Sequence, residues 1–387
     1  MKTNLRHLRV FLSVFDTGSI TRASEANLVS QPSVTQAIGK LERLAGQALF
    51  LRRPQGLFPT PAGETLANRV RRALLLLDPA LTELAPRLRL TATAAQLQAL
   101  IAVREAENFT LAARRMGLAQ PTVHRAVTQL EQEAARPLFE RTSYGMVATR
   151  PAQVLAQAAR LAFAELDQAE ADLAELAGRE VGRIVIGAMP LSRSYLLPRA
   201  LAQFRKMRPT LPVKALDGPY DDLMAGLRRG EVDLLIGALR DPPPIGDVEQ
   251  TRLFDDRLAL VARPGHPLGE GSATLEAAAR YPFVVSTEGT PTRATFDRLI
   301  GPYHPPSLVE TGSMILMREL LVVSDHVGCI SELQVQAEIR LGAVVRLAVD
   351  LPGKPRPIGL TTRRGWLPTR AQADFLSALT AAAPPAL

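Results

Sequence analysis

Gln31-Pro32-Ser33-Val34 recurs 89 positions later as Gln120-Pro121-Thr122-Val123. The same offset carries Leu8 to Leu97, Ala23 to Ala112, Leu41-Glu42 to Leu130-Glu131, Leu49-Phe50 to Leu138-Phe139, Arg52 to Arg141, Gly56 to Gly145 and Thr60 to Thr149. No gap is needed anywhere between Leu8 and Thr60. A match that preserves apolar and polar positions alike over that length marks two copies of one module, and a repeat is the first thing to settle in reading a chain.

In copy one, Leu8, Phe11, Leu12 and Phe15 fall at helical spacing, and a second helix is expected over Ile20 to Ala26, with Ala23 small enough for close helix contact. A third follows a short break. Ser30 can cap it, Pro32 suits its first turn, and Val34, Ile38, Leu41 and Leu44 are expected to form its buried stripe. The opposite face carries Ser33, Gln36, Lys40 and Arg43, with Thr35 beside it. Short polar side chains near the start of such a helix can reach base edges in a major groove, and cations further along can reach phosphates. Leu49 to Leu57 reads as a small hairpin whose Arg52 and Arg53 could hold a phosphate or enter a minor groove. Copy two offers Gln120, Pro121, Thr122, His124, Arg125 and Gln129 on its corresponding helix, and Arg141 in its hairpin. A plain helical bundle with a solvated polar face is the bland alternative.

Charge is compatible with a nucleic-acid partner and with a basic surface that only aids solubility, so a motif must decide. The net charge is +8, and residues 1–150 hold 20 Lys+Arg against 11 Asp+Glu whereas the remainder holds 26 against 27. All the excess is N-terminal, as expected if one part faces a polyanion and the other does something else. At 387 residues, 47% hydrophobic and 22% charged, the chain is expected to fold as two or three domains. No stretch approaches the run of about 18 apolar residues that a spanning helix needs, and Met1 to Phe15, ended by Asp16, lacks the pattern of a signal peptide. No membrane partner is expected. A single cysteine, Cys329, excludes a disulfide framework, fits a reducing cytoplasm and is expected to act as a small buried hydrophobe.

The residues Phe11, Gly18-Ser19, Ala23, Ser30-Gln31-Pro32-Ser33-Val34, Leu41-Glu42, Leu49-Phe50, Arg52 and Thr60-Pro61-Ala62-Gly63 closely resemble the winged helix-turn-helix of LysR-type transcriptional regulators. Copy two resembles it through Phe109-Thr110, Ala112-Ala113, Gln120-Pro121-Thr122-Val123, Leu130-Glu131, Leu138-Phe139-Glu140-Arg141 and Thr149. It departs at Glu107-Asn108, where copy one has Gly18-Ser19, and at Pro151-Ala152, where copy one has Ala62-Gly63. Most members of that family carry one such module, so the tandem pair is itself a departure. The DNA contacts this resemblance implies are Ser30, Gln31, Pro32, Ser33, Thr35, Gln36, Lys40, Arg52 and Arg53 in copy one. In copy two they are Gln120, Pro121, Thr122, His124, Arg125, Gln129 and Arg141.

From Ala152 to Leu176, the positions Leu155, Ala159, Ala162, Leu166, Ala169, Leu173 and Leu176 alternate in steps of four and three, a heptad seam. The resemblance makes this the linker helix through which protomers pair; the alternative is an amphipathic helix lying on its own chain. Copy one begins a similar seam at Leu66, Val70, Ala73 and Leu77, but Pro79 and Pro86 are expected to break or kink it. The organisation expected is a first module with a short broken helix at 1–90, a second module at 91–150, a dimerisation helix at 151–179 and an effector domain at 180–387.

After Gly178 short apolar runs alternate with helical stretches. Strands are expected at Arg183–Gly187, Pro212–Leu216, Asp233–Gly237, Leu258–Ala262, Phe283–Ser286, Ser307–Glu310, Val327–Ile330 and Val344–Leu347, and the alternation argues for an α/β sheet. Helices are expected at Tyr195–Arg208, Asp221–Arg229, Thr292–Ile300, Met314–Val323 and Thr369–Ala381. Gly182 to Gly187, Leu196-Leu197-Pro198, Gly230 to Gly237 and Pro264 to Leu268 look like the family's two-lobed effector domain, which has the fold of periplasmic binding proteins. Lobe 1 would hold about 180–261 and 347–387, and lobe 2 about 262–346. Leu191, Ser192, Gly218, Thr287, Gly289, Thr311 and Ser313, near strand ends, are the effector-site candidates. Within the family this half resembles the galactose-binding-protein regulator and protocatechuate regulator subgroup, and the resemblance implies a sugar or an aromatic acid as effector.

The expected protein is therefore multidomain: two tandem winged helix-turn-helix modules, a linker helix and an α/β effector domain. It would act in the cytoplasm on double-stranded promoter DNA, bind a small-molecule effector without a cofactor or metal, and self-associate as a dimer or tetramer, with RNA polymerase a further candidate partner. Enzyme readings are weak. His7, His124, His266, His304 and His326 lack metal-ligand spacing, and no Gly-x-Ser-x-Gly elbow or phosphate loop is present. His266, in a Pro-Gly-His-Pro turn, and Trp366 read as structural. A solute-binding protein whose basic modules only dimerise it is the rival from another class.

Overall fold

The computed structural model describes residues 4–143, 145–243, 245–269, 271 and 273–385. It divides into two compact units, Met1–Arg183 and Ile184–Leu387.

In the first unit, copy one consists of α1 (Leu5–Thr17), α2 (Ile20–Ala26), α3 (Gln31–Ala45), the antiparallel hairpin β1 (Phe50–Arg53) and β2 (Gly56–Pro59), and α4 (Pro61–Leu84). After the short α5 (Leu88–Thr91), copy two repeats the plan. Its elements are α6 (Ala94–Ala106), α7 (Phe109–Met116), α8 (Gln120–Ala134), the hairpin β3 (Phe139–Thr142) and β4 (Gly145–Ala148), and α9 (Arg150–Leu176). Matching positions make matching bonds. Glu42 accepts from the Leu49 amide at 2.9 Å and Glu131 from the Leu138 amide at 2.8 Å, tying each third helix to its hairpin. Arg71 pairs with Asp16 in copy one, and Arg160 with Glu105 in copy two.

The departure at Glu107-Asn108 keeps its role. Gly18 ends α1 in the left-handed region at φ 64°, and Glu107 ends α6 there at φ 49°; Ser19 and Asn108 both cap the next helix. Ser30 caps α3, but Ala119 begins α8 with no side-chain cap.

The stripe of α3 is Val34, Ala37, Leu41 and Ala45; Ile38 is half-buried and Leu44, expected inside, is 51% exposed. The expected break in α4 is absent too. Pro79 lies within the helix on its exposed side, and Leu75, whose carbonyl loses its intrahelical donor to Pro79, is also exposed. Water can satisfy that carbonyl, so the helix continues to Leu84, short of Pro86.

This continuity gives the seam of α9 a partner. α4 and α9 make the most extensive helix–helix contact among the described residues. They run antiparallel, because Arg69 meets Asp172 and Gln168 whereas the later Arg72 meets the earlier Glu165. Leu155, Ala159, Ala162, Leu166, Ala169 and Leu173 are buried in one apolar core with Leu66, Val70, Ala73 and Leu77; only Leu176 is exposed. The seam expected to join protomers is thus covered inside its own chain. An apolar stripe takes the first complementary stripe available, and the tether makes α4 that stripe at high effective concentration.

The second unit has two five-stranded sheets. In lobe 1, β5 (Ile184–Ala188), β6 (Val213–Leu216), β7 (Leu234–Ala238) and β8 (Val248–Asp256) combine with a strand from near the C-terminus, β14 (Arg356–Arg363), in the order β6-β5-β7-β14-β8. A one-turn π-helix (Ser192–Leu196) leads into α10 (Leu197–Met207); α11 (Tyr220–Arg228) and the final α16 (Arg370–Ala382) complete this lobe. Lobe 2 comprises β9 (Leu258–Ala262), α12 (Leu275–Ala278), β10 (Phe283–Val285), α13 (Pro291–Leu299), β11 (Leu308–Glu310), α14 (Met314–Val323), β12 (Val327–Ser331), α15 (Gln336–Arg340) and β13 (Val345–Arg346). Its strand order is β11-β10-β12-β9-β13.

The lobe boundaries differ from expectation. β9 pairs antiparallel with β12 and β13, so it belongs to lobe 2 and the first crossing falls at Arg257, between β8 and β9. Leu347, Val349 and Leu351 pack in the lobe 2 core, which moves the second crossing to the stretch before Arg356. Cys329 is buried in β12, and burial pushes its thiol up to about 12.

Candidate functional site

The third helix of each copy buries one face and leaves the other open. On α3, Ser30 accepts from the Ser33 amide at 3.3 Å and its hydroxyl lies 2.8 Å from that of Ser33. Thr35 donates to the Gln31 carbonyl at 3.2 Å. Gln31, Pro32, Ser33, Thr35, Gln36, Lys40 and Arg43 are all exposed, as are Arg52 and Arg53 on the hairpin. The Arg53 guanidinium sits over Phe58, 5.3 Å from the ring centre, which holds one cation of the wing in place. Behind them His7 is held below its ordinary pKa by burial first and then by the nearby charges of Lys40 and Arg6.

On α8, Gln120, Pro121, Thr122, His124, Arg125 and Gln129 are exposed, and Arg141 is exposed on the hairpin. Two of them are braced. The His124 ring lies 5.0 Å from that of Phe109, and Gln129 accepts from Gln96 at 3.4 Å. This flank lines a hollow of about 620 Å³ together with Thr128 and Gln132, which no sequence pattern singles out. Both sets thus stay together on open helix faces, with cations flanking hydroxyls and amides.

The effector candidates form two groups. In lobe 1, Leu191 and Ser192 follow β5 and Gly218 follows β6, at the carboxyl ends of neighbouring parallel strands. Ser192 is fully buried and its hydroxyl donates to the Met189 carbonyl at 2.6 Å, so it shapes the turn. In lobe 2, Thr287 and Gly289 follow β10, while Thr311 and Ser313 follow the adjacent parallel β11. Ser313 caps α14, and the Glu310 carboxylate, which accepts from the Glu288 amide at 2.7 Å and from Arg293, ties the two loops together.

Residues that sequence reasoning missed lie at the crossings. The buried Asp256 carboxylate accepts from the Ser331 hydroxyl at 2.8 Å and from Arg356, whose other nitrogen reaches Thr292. Burial raises the pKa of Asp256 in spite of Arg356 and Ser331. Beside this knot lies a cavity of about 710 Å³ that Arg257, Arg298, Arg346, Lys354 and Arg356 line together with Asp256 and Asp350. Isolated basic residues in a strand-crossing segment carry no motif, so only the tertiary structure collects them. None of the seven effector candidates lines that cavity.

His266 is buried, accepting from the Leu268 amide at 3.1 Å with its other nitrogen 3.2 Å from the Asp325 carbonyl, a structural turn. Trp366 packs against the lobe 1 core. No helix among the described residues is long and apolar enough to cross a membrane.

Comparison with known proteins agrees with this division. Residues 5–64 and, separately, 94–153 match the bacterial regulatory helix-turn-helix protein model of the lysR family, and 177–384 match the LysR substrate binding domain. The chain is 34% identical over 382 residues, 97% of its length and 96% of the relative's, to the HTH-type transcriptional regulator GalR of Pseudomonas putida. The fold resembles that of a full-length OxyR variant from Pseudomonas aeruginosa, with TM-score 0.54 and 22% identity, covering 74% of this chain and 93% of that one. It also resembles full-length CbnR complexed with its target DNA, with TM-score 0.52 and 18% identity, covering 74% and 99%.

Proposed function

Because the chain belongs to the LysR family of DNA-binding transcriptional regulators, with an effector-binding domain, we propose that both of its helix-turn-helix modules dock on promoter DNA in the cytoplasm and that a small molecule held between the lobes shifts how they engage it. The observation that carries this reading is the state of the two third helices: each buries its apolar stripe and leaves a polar, cationic flank open. A solvated face needs no such clustering of base-reading and phosphate-reading side chains.

Leu191, Ser192, Gly218, Thr287, Gly289, Thr311 and Ser313 are proposed to surround the effector. The effector is proposed to be a sugar or an aromatic acid. The likeness to GalR, and to the galactose-binding-protein and protocatechuate regulators read from sequence, leaves both classes in the screen. With the α9 seam covered, self-association as a dimer or tetramer falls to another surface. The outer side of α14 supports this, with Ile315 66% and Val323 78% exposed. RNA polymerase is a further proposed partner.

The test is a salt titration of the full chain on its own promoter region. Contact with several phosphates gives a steep negative slope of log affinity against log salt; a flat line would remove the proposal. A thermal-shift screen of sugars and aromatic acids, read by Trp366, tests the effector, since a ligand of the native state raises its melting point.

A further inference from the structure

We propose that a single chain reads a bipartite duplex whose two halves are unlike, one half per recognition helix. The proposal rests on the DNA-binding reading above and names the form of DNA recognised.

The arrangement comes first. α4 and α9 occupy equivalent places in the repeat and pack antiparallel, while the same ion pair, Arg71 to Asp16 and Arg160 to Glu105, fixes each module to its own helix. Reversed pairing is seen at both ends. Gln47, just past α3, donates to the Leu173 carbonyl near the end of α9 at 2.8 Å, and Thr91, at the end of α5, bonds Glu133 near the end of α8. One chain thus holds its two modules in an approximate two-fold relation. Two-fold related recognition helices meet half-sites in successive major grooves.

The pairing also selects against like-with-like pairing of either helix with a second copy. Arg69 is buried between Glu165, Gln168 and Asp172, and Arg72 pairs with Glu165. Of these groups only Asp172 has a counterpart in the repeat, Glu83. The positions matching Arg69 and Arg72 are Ala158 and Leu161, and those matching Glu165, Gln168 and Asp172 are Leu76, Pro79 and Glu83. Two α9 helices from different chains would therefore bury carboxylates against Ala158 and Leu161, whereas two α4 helices would set Arg69 against Leu76, Pro79 and a single acid, Glu83. Unpaired buried charge disfavours the α9 pair, and the α4 pair loses two of the three acceptors of Arg69.

Finally, the two flanks differ in chemistry. Thr35 corresponds to His124, Gln36 to Arg125, Lys40 to Gln129, Arg43 to Gln132 and Arg53 to Thr142. Glutamine matches the edge of adenine and arginine that of guanine. Residues 1–60 carry eight Lys+Arg against three Asp+Glu, whereas 91–149 carry six against five. Copy one accordingly grips phosphates more strongly, and copy two depends more on base contacts through Arg125.

The experiment is hydroxyl-radical footprinting and affinity measurement of the full chain on its promoter region, with two surface variants, Ser33→Ala/Gln36→Ala and Thr122→Ala/Arg125→Ala. The expected wild-type result is two protected patches about one helical turn, or a multiple of it, apart. The first variant loses one patch and the second the other, each binding at least tenfold more weakly. Mixing the two variants gives no recovery, and a duplex carrying two copies of either half binds at least tenfold more weakly than the natural one. A single patch, loss of the same patch in both variants, recovery on mixing, or undiminished binding to a duplicated half would each overturn the proposal while leaving salt-dependent DNA binding intact. Absence of salt-dependent binding would remove the reading beneath it as well.

Discussion

Arg69 Nη1 lies 3.1 Å from Glu165 Oε2, 96 residues further along the chain, with 2% and 8% of the two side chains exposed. The pair stands at the centre of the α4–α9 contact, where Gln168 and Asp172 complete the ring of acceptors around the guanidinium. Arg69→Met leaves the half-buried Asp172 without its cation and the buried Glu165 with Arg72 alone, and is expected to cost the first unit about 3 kcal/mol. Adding Glu165→Met and Asp172→Leu is expected to recover most of the loss, since an apolar replacement of the whole cluster removes the stranded charge. The sole tryptophan, Trp366, lies in the second unit. Urea melts followed by helix ellipticity and by Trp366 fluorescence therefore separate the two units; an equal shift of both signals would contradict the assignment.

In copy two the helix starts can be improved. Ala119→Ser supplies the cap that Ser30 gives α3 and is expected to stabilise the first unit by about 1 kcal/mol. Glu107→Gly relieves a left-handed side chain and is expected to be neutral or mildly stabilising, whereas Gly18→Glu destabilises. Chemical denaturation read by ellipticity checks all three, and a destabilised Ala119→Ser would mean that α8 begins elsewhere.

Asp256 supplies a pH dependence. Its pKa is raised by burial, so the folded chain holds that proton more tightly than the unfolded one. The contribution is full below the ordinary aspartate value and is lost as pH rises through the raised one. Relative to Asp256→Asn, the wild type is expected to gain stability on acidification across that window, as measured by urea melts on Trp366. The reverse trend would show that Arg356 outweighs burial.

Cys329 is expected to resist alkylation in the native chain at about pH 8, because its buried thiol gives almost no thiolate. Labelling should begin only as denaturant opens lobe 2. Rapid labelling of the native chain by iodoacetamide would place the sulfur at the surface.

On DNA, Arg52→Ala is expected to weaken binding about equally across sequences and to lower the salt slope by about 1. Gln36→Ala is expected to alter base preference, by about 1–3 kcal/mol at the position it reads. Affinities on a panel of operator variants at two salt concentrations decide; indistinguishable behaviour of the two variants would refute the division of roles.

Much of the second unit was legible because its strands are short apolar runs between turns. All eight expected strands are present, with ends shifted by a residue or so. The two that were missed explain themselves. β8 (Val248–Asp256) is a charged edge strand with few apolar positions, and β14 contains Pro357 and Gly359, which read as breakers. Gly359 sits at an irregularity of the β14–β8 pairing, where a Cβ would come within 2.1 Å of the Thr251 carbonyl oxygen. The lobe crossings were misplaced because β9 joins its sheet through β12 and β13, residues far along the chain.

By itself the sequence determined the duplicated module, the polar flank of each recognition helix and the α/β nature of the remainder. All of these are local: caps, helical periodicity and short apolar runs act over a few residues, and the repeat fixes their register twice. Only the tertiary structure decided what covers α9. A heptad stripe records that a helix face must be buried, but the identity of the burying surface depends on groups such as Arg69 and Asp172, 103 residues apart, whose complementarity exists only once the two helices lie side by side.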